Sequence, residues 1–210
     1  MTKPMKKRDA KKSKKLILDC AIKLFSTNGY SSTSMEELAK MCDLNKAMIF
    51  YYYKTKQGLY EAVIIQILDE IYATIIKENA DINKPMEELE SFIKTYALFA
   101  CSNSYLPSLL LRELSDSGAK MPKTLFFHMR KLYILFASIL DRGVKKGCFE
   151  DVIPMIVYFM VVGTLNLMVT TKPLRIKAHE IDGIDTCSTC DMDEISEYLI
   201  KKIKKMLKEK

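Results

Sequence analysis

No tryptophan occurs among the 210 residues, and histidine appears only twice. Glycine (7) and proline (6) are also scarce. A fold built from many hairpins needs more turn-forming material, so long helices are favoured from the outset. The glycines are isolated: Gly143 and Gly147 flank basic residues without the order of a phosphate loop. No serine or cysteine stands in a recognisable nucleophile setting. Catalysis therefore has little support, nothing calls for a cofactor, and we expect a protein that is not an enzyme.

The six cysteines fall at 20, 42, 101, 148, 187 and 190. Only the last two are close, which speaks against a disulfide framework and for a reducing, cytoplasmic setting. Cys187-Ser-Thr-Cys190 is a lone pair; a structural zinc site wants four ligands, and no second pair stands at suitable spacing. His179 and Asp191 could complete a loop site, but inert loop cysteines are the better reading, and we expect no metal. The basic N-terminus lacks the apolar stretch of a secretory signal, because Leu16-Ile17-Leu18 is broken by Asp19. Val152 to Thr171 is free of charge and long enough to cross a bilayer. Pro154, Gly163, Thr164 and Asn166 dilute it, and a helix buried on most of its circumference explains it better.

What is present is charge and helical period. The net charge of +7 is confined to one end. Residues 1–15 hold eight basic side chains and one acid, while the other 195 balance at 25 basic and 25 acidic. Such an arm suits phosphate backbones or an acidic membrane surface, and equally a solvated tail. Behind it, Leu16, Cys20, Ala21, Leu24 and Phe25 recur at spacings of three and four, the stripe of an amphipathic helix that Asn28-Gly29 should stop.

Thr33-Ser34-Met35-Glu36 reads as a capping box opening a short helix. Asn45 caps a second one, Lys46 to about Tyr52, and Thr55 caps a long one to about Asn79. Further helices are expected at 85–102, 107–117, 122–146, 154–170 and 191–208. An aperiodic loop fills Lys172 to Cys190. The pair of short helices, Ser34–Met41 and Asn45–Tyr52, forms a helix-turn-helix pattern. Leu38 and Ala39 face inward, Leu44 and Ile49 anchor the second helix, and Asn45, Lys46, Met48, Tyr51 and Tyr52 remain for a major groove. The four aromatics Phe50 to Tyr53 cannot share one face; Phe50 and Tyr53 are assigned to the core, Tyr51 and Tyr52 to contact.

These residues resemble the DNA-binding domain of the TetR family of regulators. The resemblance runs from Ile17 to Val63, through Ala21, Leu24, Phe25, Gly29, Tyr30, Thr33, Leu38, Ala39, Leu44, Lys46, Ile49, the aromatic run, Lys56 and Leu59. It implies an all-α protein: a flexible basic arm (1–10), a three-helix DNA-binding domain (11–71), and a C-terminal helical bundle for ligand binding and dimerisation (72–210). It further implies a homodimer on a palindromic double-stranded operator, usually a repressor released by a small-molecule effector. Thr33, Ser34, Asn45, Lys46, Ala47, Met48, Tyr51, Tyr52 and Lys56 would meet phosphates or base edges. Three positions depart from the pattern. Asp43 and Ala47 replace glycines, and Phe50 replaces a tyrosine that often touches phosphate.

In the C-terminal half, Arg112, Glu113 and His128 are candidates for orienting an effector, against a plainer reading as surface or structural polar groups. The Pro154 helix and the last helix, with its stripe of Ile195, Tyr198, Leu199, Ile203, Met206 and Leu207, are expected to form the dimer face. Two other readings stay open: a helical protein binding a lipid or membrane surface through its arm, and a small-molecule-binding enzyme. The regulator reading has a direct check. Lys46→Ala and Tyr51→Ala should each weaken duplex binding by about 1–3 kcal/mol while leaving the melting temperature nearly unchanged; large melting losses would mark them as core.

Overall fold

The computed structural model describes residues 7–115, 122–183, 187 and 190–208; the side chains of 7–9, 112–115, 182 and 208 lie outside that description. Among the described residues every regular element is a helix: α1 (Lys7–Ser32), α2 (Met35–Cys42), α3 (Lys46–Tyr53), α4 (Lys56–Glu78), α5 (Pro85–Ser102), α6 (Tyr105–Ser115), α7 (Lys123–Lys145), α8 (Pro154–Tyr158), a π-turn (Phe159–Gly163), α9 (Thr164–Thr170), α10 (Lys172–Asp182) and α11 (Met192–Lys208). The chain divides into two compact units, Met1–Ile67 and Leu68–Lys210, with α4 running through the division.

In the first unit the apolar stripe of α1 closes on α2, α3 and the first half of α4. Ile17, Ala21, Leu24, Phe25, Leu38, Ile49, Leu59 and Val63 are all buried. The stop at Asn28-Gly29 is real. Gly29 takes φ 77° and ψ 169°, a conformation that only glycine adopts without strain, and breaks α1 into a long arm and a short final turn. The rings of Phe25, Tyr30 and Tyr60 pack across that bend, with centroids 4.8 to 6.0 Å apart.

The N-cap sits one residue later than the sequence suggests. Ser34, not Thr33, is the N-cap of α2, its hydroxyl accepting from the Glu37 amide at 3.0 Å. The Glu37 carboxylate accepts from the Asn28 side chain (3.0 Å) and so ties α2 to the α1 bend.

The second unit is organised around α5, whose Leu89, Phe92, Ile93, Tyr96, Ala97 and Ala100 are all buried. It packs against α7, α9 and α11. The stripe of the last helix, expected at a dimer face, is largely covered within the chain. Ile195, Ile200, Ile203 and Leu207 are buried within the chain itself, leaving Tyr198 as the large side chain that stays exposed. A stripe of that quality needed cover, and α5 supplies it. The Pro154 helix behaves differently. Val157, Val161 and Leu165 turn inward, while Ile153, Ile156, Phe159 and Leu167 are each more than half exposed.

Lys172 to Asp182 is helix, not loop. Pro173 sits in its first turn, and Gly183 (φ 63°) closes it with an N–H to the His179 carbonyl, so the ends were marked even though the middle was not. Periodicity failed because α10 has no buried side: Leu174, Ile176 and Ile181 are exposed. Arg175 anchors it, donating to the Met168 carbonyl at 2.7 Å and to the Cys187 carbonyl at 3.3 Å. Cys187 is disulfide-bonded to Cys190, against the expectation of free thiols. No single described helix is long and apolar enough to cross a membrane; the one pair that is, Pro154–Thr170 with Lys172–Ile181, is bent by 61°.

Glu88 is nearly buried beneath the Arg142 guanidinium of α7. Removing the partner leaves a carboxylate with little water around it. Arg142→Met should therefore lower the melting temperature distinctly, by an amount equivalent to about 1–3 kcal/mol. Lys145→Met, which breaks an exposed pair with Asp141, should cost under about 1 kcal/mol. Equal shifts for the two variants would refute this ranking.

Candidate nucleic-acid interface

An eight-residue helix is too short to persist alone in water, so α2 and α3 depend on their ends and their anchors. Between them the chain turns at Asp43, which holds the left-handed conformation (φ 51°, ψ 45°) that a glycine would otherwise supply. The Leu44 amide then reaches back to the Ala39 carbonyl at 3.0 Å. Asn45 caps α3, its side-chain oxygen accepting from the Ala47 amide at 2.8 Å. Only Ile49 of α3 is buried. The rest of the helix stands at the surface of its unit, with Tyr51 70% exposed.

At the far end of α3 the turn is strained. Lys54 adopts φ 62° and ψ −48°, and the Thr55 amide donates to the Tyr53 carbonyl at 2.6 Å. This is a γ-turn of the rare hand, at a cost on the order of 1–3 kcal/mol. The same carbonyl forbids a side chain at Gly58, where a Cβ would come within 2.6 Å of it. Thr55 caps α4 as expected, accepting from the Gly58 amide at 2.9 Å.

Most of the expected contact residues gather on one surface: Ser34 and Asn45 at the two helix starts, and Lys46, Ala47, Met48, Tyr51 and Tyr52 along α3. The two caps use oxygen lone pairs, which leaves the Ser34 hydroxyl proton and the Asn45 amide protons able to donate to a phosphate. Lys46 pairs with the Glu36 carboxylate and lies 5.7 Å from the Phe50 ring centroid. The Lys46 hydrogen bond, joined by Glu36's own backbone amide, holds that carboxyl below the usual carboxylate range.

Two expected contacts are elsewhere. Thr33 is only 3% exposed, and its hydroxyl donates to the carbonyls of Gly29 (2.9 Å) and Leu24 (3.2 Å). It pins the α1 bend. Lys56 folds back, donating to the Ser31 carbonyl at 3.3 Å with its ammonium 4.5 Å from the Tyr30 ring centroid. Of the two aromatics assigned to the core, both are half-buried. Tyr53 donates its hydroxyl to the Lys14 carbonyl at 3.1 Å, and burial, with Tyr52 nearby, pushes its phenol up to about 12. Sequence reasoning missed Lys14 and Lys54. The Lys14 ammonium lies 5.5 Å from the Tyr52 ring and that of Lys54 5.4 Å from the Tyr51 ring.

In the second unit, the side chains of Arg112 and Glu113 lie outside the described residues. His128 Nδ1 meets the Asp69 carboxylate at 2.7 Å, and Lys131 donates to the same oxygen at 3.1 Å. Partial burial pulls the Asp69 carboxyl upward, but these two partners outweigh it and hold it below the usual range. His128 is thus a satisfied histidine joining α7 to α4. A polar bond that the sequence did not reveal lies deeper: Tyr96 donates to the Asn166 side-chain oxygen at 2.9 Å, both residues buried. No cluster of metal-ligating groups occurs among the described residues.

Residues 17–63 match the model for bacterial regulatory proteins of the tetR family. The chain is 26% identical over 136 residues to YttP of Bacillus subtilis, a probable HTH-type transcriptional regulator. That match covers 64% of this chain and 66% of YttP, just under two thirds of the relative's length. Two solved structures share the fold. FadR of Bacillus subtilis, in complex with stearoyl-CoA, aligns with TM-score 0.76 at 16% identity over 92% of this chain and 98% of that one. PfmR of Thermus thermophilus, a TetR family transcriptional regulator, aligns with TM-score 0.68 at 21% identity over 89% and 96%.

Two substitutions separate contact from support. Glu36→Gln frees the Lys46 ammonium and removes a negative charge from the face, so duplex affinity should rise about two- to fivefold at low salt, as fluorescence anisotropy would register. Thr33→Val strips a buried hydroxyl from two carbonyls and should cost about 1–2 kcal/mol of stability. Sequence preference should survive it, because Thr33 lies beneath the surface.

Proposed function

We propose that this chain, a DNA-binding transcriptional regulator whose helix-turn-helix domain is of the TetR family, acts as a homodimeric repressor that leaves a palindromic operator when a small molecule occupies its second unit. The observation that carries the reading is the α3 surface: one buried anchor, Ile49, and a face on which Asn45, Ala47 and Tyr51 are exposed and Lys46, Met48 and Tyr52 half-buried. A helix presented in this way fits a major groove, where phosphate contacts set its register and side-chain edges read bases. We assign residues 11–71 to DNA binding, 72–210 to effector binding and dimerisation, and 1–10 to a flexible arm, in a cytoplasmic protein.

The dimer face is assigned to the exposed apolar side chains of α8, the π-turn and α9, with those of α10, and not to α11. Single chains seldom leave Ile153, Ile156, Phe159, Leu167, Leu174 and Ile181 all in water. A C2 contact would cover this face on both copies at once and fix the separation of the two recognition helices. The effector class that fits best is an amphipathic molecule with an apolar chain. The interior of the second unit is apolar and aromatic, with the Tyr96–Asn166 bond as a polar mark inside it. FadR, which shares the fold, holds stearoyl-CoA. A ligand that binds one spacing of the recognition helices better than the other shifts the dimer toward it, and a spacing away from about 34–36 Å gives up a half-site.

The test is anisotropy against duplexes selected by the protein from a random pool. Two chains should bind each palindrome, with a preference over random duplex of at least about 1,000-fold at 0.15 M salt and steep salt dependence. Acyl-CoA thioesters of graded length should release the complex. Phe159→Glu should yield a monomer in light scattering and weaken operator binding at least a hundredfold. Equal affinity for every duplex at moderate salt would sink the reading.

A further inference from the structure

We propose that the DNA-binding surface extends beyond the helix-turn-helix onto a second, phosphate-binding shelf made by Lys11, Lys12, Lys14 and Lys15 of α1 together with Lys54 of the α3–α4 turn. The proposal rests on the regulator reading above and adds a site to it.

The first support is placement. The Tyr53 hydroxyl of α3 bonds to the Lys14 backbone carbonyl at 3.1 Å, so the basic end of α1 is fastened beside the recognition helix. The Lys14 ammonium lies over Tyr52 and that of Lys54 over Tyr51, the two tyrosines offered to duplex. Cations held against aromatic faces lose part of their rotamer freedom before any ligand arrives. Lys11, Lys12, Lys14, Lys15 and Lys54 are all exposed.

The second support is need. The C-terminal end of a helix presents carbonyl oxygens and a partial negative charge, which repels phosphate. α3 has no basic residue in its last turn to offset this. Lys14 and Lys54 supply the missing positive charge from outside the helix, at the end where Tyr53 and the turn lie. Four residues of α1 advance about 6 Å, comparable to two phosphate steps of roughly 3.4 Å along one strand.

The third support is cost. Lysines near the start of a helix oppose its dipole, and like charges three and four residues apart repel one another. Among the described side chains of α1, Asp19, four residues after Lys15, is the acid that answers them. Lys54 adds a strained backbone. Like charges gathered on one surface against local rules mark a site whose compensation comes from a ligand. An acidic phosphate backbone is that ligand. A flat lipid surface would not account for lysines laid against the groove-reading tyrosines.

The experiment uses the full chain with Lys11, Lys12, Lys14 and Lys15 changed to Gln, and a charge-matched control with Lys172, Lys177, Lys201 and Lys202 changed to Gln. Binding is measured by anisotropy from 0.05 to 0.3 M salt, on a duplex the parent protein selected from a random pool and on a random duplex. The shelf variant should lower the slope of log affinity against log salt by roughly 2–4, since each lost phosphate contact removes about 0.9. Affinity at 0.15 M should drop at least thirtyfold on both duplexes, with their ratio and the melting temperature unchanged. Lys54→Gln should lower the slope by about one more. An unchanged slope, or an equal change in the control, overturns the shelf. So does a variant that loses binding only to vesicles containing phosphatidylserine. A parent without preference for the selected duplex, whose slope still falls in the variant, would leave the shelf standing and remove the regulator reading instead.

Discussion

The exposed surface of α3 hangs on one buried side chain, Ile49. An eight-residue helix cannot hold itself together by hydrogen bonding alone, since nucleation costs more than so few propagated residues return. The head therefore stabilises α3 from its ends. Asn45 satisfies the first free amide, and Asp43 bends the chain so that Leu44 can reach Ala39. Behind the helix, the Tyr53 hydroxyl and the bond across the Lys54 turn fix the exit. With both termini secured, a single fully buried anchor suffices, and Asn45, Ala47 and Tyr51 stay exposed. A second buried residue on α3 would steady the helix further, but it would take away about a quarter turn of its open surface.

The aromatic run follows from the same economy. Four successive residues of an α-helix sweep more than a full turn, so Phe50 to Tyr53 necessarily point in different directions. Tyr53 is turned to α1, Phe50 lies under Lys46, and Tyr51 projects into solvent beside Tyr52. Three lysines from three elements come to rest near three of these rings. Lysine is otherwise a mobile point charge with large rotamer entropy. Rings that restrain it convert a diffuse basic surface into an ordered one, and they do so without spending core residues.

The head was legible because its signals are local. Caps, the αL turn at Asp43, the break at Gly29 and the amphipathic stripe of α1 each act within a few residues, and each appears where the spacing put it or one position away. What failed was direction. Nothing in Thr33 and Ser34 says which hydroxyl faces inward; the bend at Gly29 decides that, turning Thr33 onto the Leu24 and Gly29 carbonyls and leaving Ser34 to cap. Lys56 was drawn to Tyr30 by the same bend. In the second unit the stripe on α11 announced that it needed cover, but a stripe does not name its partner, and α5 of the same chain took it. α10 escaped notice for the opposite reason: a helix without a buried face leaves no period to read, and only Pro173 and Gly183 mark its ends.

α4 contributes to the cores of both units. From Leu59 to Glu78 this helix contains neither glycine nor proline, so it has no built-in hinge. Its first half supplies Leu59, Val63 and Ile67 to the core of the head, and its second half carries Asp69, gripped by His128 and Lys131 of α7. Within the head, Tyr53, Lys54 and Gly58 leave no slack between α3 and the start of α4. The strained turn at Lys54 thereby gains a second physical consequence: it ties the exposed helix to the first turn of α4, so that neither can shift without the other.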